Sequence, residues 1–222
     1  MRPPPLKSHR SGNKPAFTLM EMVVVIAIMA VLMAAGGGLL RGTAGQSRKV
    51  ATDLIASMID QARTTAITSR KDIVLAIADP TNFTDSDGRG KIGLFEVESW
   101  PDPKSEDPTL KARLLKRWQS MDASIVLIGG GLNGLENPLD QPQVTLKNSE
   151  TKKQTFQVHF IGINSRGALV SPSGAAPMVL RIAEGRYQDG NAIPNRSGEQ
   201  KTITENRLKI GRISARTYPI DG

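Results

Sequence analysis

The sequence contains no cysteine, two histidines and few aromatic residues, which make up 4% of its 222 residues. The absence of cysteine excludes disulfides, cysteine nucleophiles, thiolate zinc sites and iron–sulfur clusters. Apart from His9, which precedes the first apolar run, the chain has a single histidine, His159, so metal sites and catalytic triads lack their commonest ligand or base. We expect a non-enzyme without a cofactor, and we expect its fold to be held by its core alone.

What the sequence does contain is one long apolar run near its start. Met22 to Leu40 carries no charge, and at about 1.5 Å per residue a helix over it is about 29 Å long, which matches a hydrocarbon core of about 30 Å. The sixteen residues before Phe17 hold no acid and four cations: Arg2, Lys7, Arg10 and Lys14. The positive-inside rule therefore predicts a single membrane span with the N-terminus in the cytoplasm and the rest of the chain outside.

Two simpler interpretations of this run are a cleaved secretory signal and a plain membrane anchor. A secretory signal has an apolar core of about 7–15 residues, shorter than the run here, although Ala34-Ala35-Gly36 is similar to a cleavage site. A plain anchor leaves Glu21 unexplained, because a carboxylate within a span costs free energy and usually has a partner and a function. Both interpretations stay open as alternatives.

The residues Ala16-Phe17-Thr18-Leu19-Met20-Glu21, followed by the apolar run, resemble the processing site of type IV pilins and type II secretion pseudopilins. In that family a membrane peptidase cuts on the cytoplasmic side before the Phe and the new N-terminus is methylated. The resemblance implies cleavage between Ala16 and Phe17, N-methylation of Phe17, and a function in assembly for Glu21. Most of the family has glycine where this chain has Ala16.

The same resemblance implies partners and a location. The partners are a prepilin peptidase/methyltransferase, other pilins or pseudopilins that pack through their N-terminal helices, and the inner membrane. The protein is then a single-pass protein of the bacterial inner membrane with a periplasmic head, and it assembles into a type II secretion pseudopilus or a type IV pilus-like filament. The ammonium group at Phe17 of a neighbouring subunit would neutralise Glu21 at low dielectric and set the axial register of the subunits.

Beyond the apolar run, the pattern predicts one helix followed by strands. The Gly36–Gly38 triplet is expected to bend or melt the first helix, because glycine costs about 1 kcal/mol relative to alanine in a helix interior. From Gln46 to Arg70 the apolar period is helical; the residues on the predicted apolar face are Val50, Leu54, Met58, Ala62 and Ala66, with Ile55, Ile59 and Ile67 beside them. This amphipathic helix is expected to continue the membrane span and to pack on a sheet.

After Lys71 the pattern becomes extended, with turn residues between the segments. The predicted strands are Ile73–Ala78, Lys91–Ser99, Lys111–Trp118, Ser124–Ile128, Gln143–Lys147, Thr155–Asn164, Met178–Ala183 and Arg207–Thr217. The predicted loops are 101–108, 132–142, 171–177 and 188–198, the last of them mobile. We predict a pilin-like α+β fold, with a long N-terminal helix on an antiparallel sheet. Its parts are a cleaved leader (1–16), a transmembrane and assembly helix (17–40), an amphipathic helix (41–71) and a β-rich head (72–222).

Two further segments carry a looser resemblance. Ala62-Arg63-Thr64-Thr65-Ala66, with the strand Ile73-Val74-Leu75 that follows, and Leu208-Lys209-Ile210-Gly211-Arg212-Ile213 are similar to minor pseudopilins of the GspH and FimT type. This resemblance implies a minor component of the filament. A pilin-like cassette protein of environmental bacteria is the alternative.

The FimT resemblance also allows a DNA-binding minor pilin as an alternative function. Its candidate contacts to phosphate are the cations near the C-terminus: Arg207, Lys209, Arg212 and Arg216. Cations at alternate positions of a strand line one face, but Tyr218 is the only aromatic residue close by for base stacking. Nucleic acid is therefore a less favoured partner.

The remaining motifs give weaker predictions. Asp85 and Asp87 occupy the first and third positions of an EF-hand-like loop, but Arg89 stands at a ligand position, so an Asp-Gly turn is favoured over a calcium site. Residues 129–134 fit G-x-G-x-x-G, yet Pro138 and Pro142 follow where a nucleotide-binding helix should begin, so a flexible loop is predicted. The alternation of strand 155–161 places His159 on the face opposite Phe156 and Val158, where we expect a solvent-exposed side chain.

Overall fold

A computed structural model of the protein describes residues 19–39, 43–83, 87–102, 104–132, 134–151, 154–197 and 202–220, with the side chains of 32–39 and 43–44 outside this description. The chain divides into two compact units, residues 1–43 and 44–222. The first unit contains helix α1, Leu19–Leu39. The second contains most of helix α2, Thr43–Ser69, and the strands.

The strands follow α2 along the chain. They are β1 Ile73–Ala78, β2 Lys91–Ser99, β3 Thr109–Ser120, β4 Ile125–Ile128, β5 Val144–Asn148, β6 Thr155–Ile163, β7 Leu169–Ser171, β8 Met178–Gln188, β9 Asn191–Pro194, β10 Arg196–Ser197, β11 Thr202–Ile203, β12 Glu205–Ile210 and β13 Thr217–Ile220. Two short 3-10 turns, Pro80–Asn82 and Pro138–Asp140, lie between them. The prediction of one helix followed by a β-rich head is confirmed.

The larger sheet closes on itself. Its order is β1-β2-β3-β5-β6-β7, and β1 also pairs with β6, so that β1, β2, β3, β5 and β6 form a closed barrel. The pair β3–β5 is parallel, with Thr109 beside Thr145 and Ala112 beside Asn148. The prediction of an antiparallel sheet is therefore wrong at this pair. The reason is that the chain leaves β3 to form β4 in the other sheet and then returns to run beside the start of β3, a crossover of the kind that parallel pairs need.

The second sheet has the order β13-β12-β8-β4, with β9 paired to β8. Helix α2 packs against this sheet and against the outside of the barrel, in one core that contains Ile55 and Ile59 of the helix with Leu180 and Leu208 of the sheet. At the side of this core, Arg48 Nε lies 2.6 Å from Glu184 Oε1, which fastens α2 to β8.

Strand β1 is buried on both faces. Ile73, Leu75 and Ile77 belong to the core beneath α2, whereas Val74 and Ala76, with Ala78, belong to the separate core inside the barrel. This follows from the alternation of side chains along a strand, because β1 lies between two apolar environments. An uninterrupted apolar strand is therefore required at this position.

The predicted position of the second helix was confirmed, but the predicted burial of two of its side chains was wrong. The predicted helix 46–70 is α2, but Val50 is 60% exposed and Ile67 is 42% exposed, whereas Ala51 takes the buried position. The predicted melting at Gly36–Gly38 is wrong, because the backbone of α1 is helical through Leu39. Residues 40–42, where the two helices were predicted to join, lie outside the described residues.

One predicted strand and one predicted loop were wrong near the C-terminal end of the chain. The predicted strand 207–217 is two strands, β12 and β13, which pair with each other across a turn that includes Ala215 at φ 43°. The predicted mobile loop 188–198 contains β9 and β10. Asp189 and Gly190 have φ values of 50° and 79°, so they form the two-residue turn that joins antiparallel strands with the natural twist.

The core beneath α2 gives a matched pair of substitutions on one helix. We expect Ile59→Ala to lower the free energy of unfolding by about 2–5 kcal/mol, because Ile59 is fully buried and its loss leaves a cavity. The control Ile67→Ala removes the same atoms from a side chain that is 42% exposed, and its effect should be at most about 1 kcal/mol. Urea unfolding of the full chain monitored by circular dichroism measures both; equal losses would contradict the described packing of α2.

Candidate functional site

The first candidate site is the start of α1. Glu21 lies in the first turn of this helix, where the helix dipole stabilises a carboxylate by about 0.3–1 kcal/mol. Ala16 and Phe17, the predicted cleavage site, lie outside the described residues.

In the part of α1 whose side chains are described, residues 19–31, the apolar side chains are exposed all round the helix. Those more than two-fifths exposed are Leu19, Met20, Met22, Val23, Val24, Val25, Ile26, Ile28, Met29 and Val31. A helix that is apolar on every side is covered by lipid or by other protein in its working state. Within the described part of the chain, no helix combines the length and the hydropathy of a membrane span.

The second candidate site is the group of cations near the C-terminus. Arg207 and Lys209 lie two residues apart on β12 and share one face, opposite Leu208 in the core. Arg207 Nε lies 2.7 Å from Glu205 Oε1, and the same carboxylate lies 2.8 Å from Arg181 Nη2 through its other oxygen. The single negative charge of Glu205 is therefore shared by Arg207 and Arg181.

Arg212 and Arg216 lie beyond the end of β12, so they do not continue its face. The side chain of Arg212 is 11% exposed; it pairs with the Glu136 carboxylate and donates to the carbonyl oxygens of Pro172 and Ala176. Arg216 is exposed and lines a polar cavity with Arg63 and Tyr218. The structure does not bring the four predicted cations together on one surface: Arg212 holds loops together, and Arg216 lies apart from it.

Comparison with protein-family models identifies the N-terminal segment. The model of the prokaryotic N-terminal methylation motif matches residues 12–37, a range that contains Ala16, Phe17 and Glu21. The match covers this N-terminal segment of the chain, and it confirms for the segment the resemblance drawn from residues 16–21.

Comparisons over the whole chain give less information than the match to its N-terminal segment. No curated protein sequence matches this chain. Among solved structures, the type IV minor pilin FimU of Pseudomonas aeruginosa strain PAO1 matches with a TM-score of 0.38 and 13% identity, over 79% of this chain and 90% of that chain. A TM-score of this size does not establish a common fold for the heads.

The calcium candidate in the head forms a surface turn where it is described. Asp87 is exposed, and it accepts a hydrogen bond from the Arg89 backbone N–H and lies 3.3 Å from Arg89 Nε. Asp85 lies outside the described residues. Among the residues whose structure is described, no three His, Cys, Asp or Glu side chains are grouped so that they could hold a metal ion.

The described residues of the glycine-rich segment, 129–132 and 134, are held by defined hydrogen bonds. Asp140 Oδ1 accepts from the Gly130 N–H at 2.6 Å, and Arg181 Nη1 donates to the Gly129 carbonyl at 3.0 Å. Asn137 caps the short turn that follows, since its Oδ1 accepts from the Leu139 N–H at 3.0 Å. As the sequence predicted, the segment does not lead into a nucleotide-binding helix. It leads into this 3-10 turn instead.

The prediction of a solvent-exposed His159 is wrong. Its ring is half-buried, and its Nε2 lies 3.4 Å from Nε2 of Gln143, which donates to Asp79 Oδ2 at 2.9 Å. The physical reason is that the second face of β6 is also covered, by the core beneath α2 and by the Pro138–Asp140 turn. Burial lowers the pKa of His159, and the nearby Asp79 carboxylate opposes this shift.

The position of Arg212 predicts that two neighbouring arginines differ in their contribution to stability. We expect Arg212→Ala to lower the free energy of unfolding by about 2 kcal/mol, because it leaves Glu136 and two loop carbonyls without their donor. Arg216→Ala should change it by at most about 0.5 kcal/mol, since Arg216 is exposed. Thermal and urea unfolding measure both variants, and a larger loss for Arg216→Ala would be inconsistent with these contacts.

The burial of His159 predicts a pH dependence of stability. Because its pKa is lower in the folded protein than in the unfolded chain, the unfolded chain takes up the proton first as the pH falls below about 6.5. This contribution to the free energy of unfolding is therefore complete above the unfolded pKa and declines as the pH falls toward the folded pKa.

The variant His159→Gln lacks this titration. Between about pH 7 and pH 5.5, the free energy of unfolding of the wild type should fall more steeply than that of His159→Gln. Asp79 is retained in both proteins, and its raised pKa gives it the opposite sign, since it favours the folded state as the pH falls. Parallel pH profiles for the two proteins would show that His159 is not the group responsible.

Proposed function

We propose that this protein is a structural, non-catalytic pilin-like subunit that is processed by a prepilin peptidase and assembles through its N-terminal helix. The observation that carries the proposal is the coincidence, within residues 12–37, of the methylation motif with a helix that has Glu21 in its first turn and apolar side chains exposed on all sides. A subunit that packs side by side with others in a membrane-derived filament requires these three features together.

Processing defines the parts of the chain in this proposal. The peptidase removes residues 1–16 by cutting between Ala16 and Phe17 on the cytoplasmic side, and the new amino group of Phe17 is methylated. Residues 17–40 hold the protein in the inner membrane before assembly, with the head in the periplasm. Alanine at position 16 is the next smallest side chain after glycine, so we propose that cleavage persists there.

Assembly depends on Glu21. A carboxylate in an apolar environment is costly unless it is paired, and the amino group of Phe17 on a neighbouring subunit supplies the opposite charge. A subunit displaced along the axis would lose this attraction between opposite charges at low dielectric. The pair therefore selects one axial position, while the exposed apolar residues of α1 supply the contact area.

For the filament, we propose a minor component of a type II secretion pseudopilus or a type IV pilus-like fibre. The looser resemblance of residues 62–66 and 208–213 to minor pseudopilins supports this choice. DNA binding is not favoured by the geometry of the head, because Arg207 and Arg212 are engaged in ion pairs. A plain membrane anchor leaves the methylation motif without a use.

The proposed function of Glu21 predicts that its substitution lowers the incorporation of the protein into filaments without blocking its processing. In a host with a prepilin peptidase and the cognate machine, Glu21→Ala should still lose residues 1–16 but should enter filaments at least about tenfold less than the wild type, since the charge pair is lost. The control Glu106→Ala removes an exposed acid of the head and should assemble normally. Intact mass measures processing, and immunoblots of sheared filaments measure incorporation.

Two results would contradict different parts of the proposal. Normal incorporation of Glu21→Ala would exclude the proposed function of this residue. Retention of the first 16 residues by the wild type in such a host would exclude processing and return the chain to the plain-anchor alternative.

A further inference from the structure

The head contains a cavity of about 620 Å³ beside the beginning of β1 and the end of β2. This volume lies within the range of about 300–1,000 Å³ that is typical of sites for small molecules. The residues that line it are Asp72, Trp100, Pro101, Pro108, Pro138, Gln141, Pro142, Val144, Phe160, Val170, Ser171, Pro172 and Ser173. Most of these side chains are apolar, and two of them are aromatic.

The two aromatic rings form a defined surface in this cavity. The ring centroids of Trp100 and Phe160 lie 6.2 Å apart with the planes inclined by 36°. Gly162 allows the indole to lie close to β6, because a Cβ at this position would come within 2.6 Å of the Trp100 ring. A side chain larger than hydrogen at position 162 would displace the indole.

Asp72 fixes the indole and supplies charge. Its Oδ2 accepts from Trp100 Nε1 at 3.1 Å, and its Oδ1 accepts from the Ser165 backbone N–H at 3.1 Å. The indole N–H is thus occupied, so the ring offers its apolar face to a ligand. The carboxylate lies at the edge of the same ring and adds its negative charge to the negative potential of the ring face.

The charge of the cavity is opposite to that of the chain. The full chain has a formal charge of +8, yet the described residues that line the cavity include one acid, Asp72, and no Lys, Arg or His. A carboxylate beside two aromatic rings repels anions and attracts cations. Aromatic rings bind cations through their faces, and methylated ammonium groups are the ligands that aromatic-lined sites commonly take.

We propose that this cavity binds a small organic cation with a methylated ammonium group, of the choline type. The methyl groups contact the faces of Trp100 and Phe160, and the positive charge is balanced by Asp72. Full methylation matters because a quaternary ammonium, unlike one with fewer methyl groups, has no N–H donors to be left unsatisfied among the proline side chains of the wall. The proposal concerns the head alone and is independent of how the N-terminal segment is processed.

The test uses the full chain in a polyoxyethylene ether detergent, which has neither a sugar nor an ammonium headgroup. Choline chloride is titrated, with sodium chloride as the control for ionic strength and 3,3-dimethylbutan-1-ol as the uncharged isostere of choline. Binding is measured by saturation-transfer NMR on the N-methyl protons and by the fluorescence of Trp100 in the Trp118→Phe background, which removes the other of the two tryptophans.

We expect saturable binding of choline and at least about tenfold weaker binding of the uncharged isostere. Asp72→Asn and Phe160→Leu should each weaken choline binding by about tenfold or more. The Trp118→Phe variant should bind like the wild type in the NMR experiment, because Trp118 packs with Phe83, Phe95 and Phe156 away from the cavity. Circular dichroism verifies that each variant is folded.

Titration with phosphocholine distinguishes a free organic cation from a lipid headgroup as the source of the methylated ammonium group. Weaker binding of phosphocholine than of choline assigns a free cation, whereas equal or tighter binding assigns a lipid headgroup, and both results support the cation site. Equal affinity for choline and its uncharged isostere, unchanged affinity in folded Asp72→Asn, or no saturable binding of choline would each overturn the proposal.

Discussion

The burial of β1 on both faces is the constraint on which the head depends. One face of this strand closes the interior of the barrel, and the other forms the floor of the core beneath α2. Two cores therefore share one strand of six residues. The barrel side uses the smaller residues Val74, Ala76 and Ala78, which leave room for Phe95 and Phe156 in the interior. The helix side uses Ile73, Leu75 and Ile77, whose larger side chains reach the helix.

Local sequence patterns were sufficient to predict the elements whose structure depends on residues that are neighbours along the chain. The bounds of β1 and β2 were predicted correctly, because each is a dense apolar or alternating run between turn residues. The hairpin of β8 and β9 also had a local signal, Asp189-Gly190, which the polarity of the surrounding residues obscured. The parallel pair β3–β5 had no such signal, since no local pattern specifies which strand lies beside another.

The same distinction applies to the candidate sites. The methylation motif, whose range contains Ala16, Phe17 and Glu21, is contiguous, so it was recognised from the sequence. The function of Arg212 depends on Glu136 and Pro172, which are distant in sequence. The cavity at Trp100 likewise depends on Asp72 and Phe160, contributed by separate elements. Clusters of this kind are produced by the topology of the two sheets, and no spacing along the chain predicts them.

The closure of the barrel also bears on solubility. Unpaired strand edges are templates for edge-to-edge aggregation, and pairing of β1 with β6 removes the edges that an open sheet of these strands would have. In the second sheet, the edge strand β13 contains Pro219, which has no N–H to offer to an added strand. Copies of the head are thereby hindered from joining through these edges.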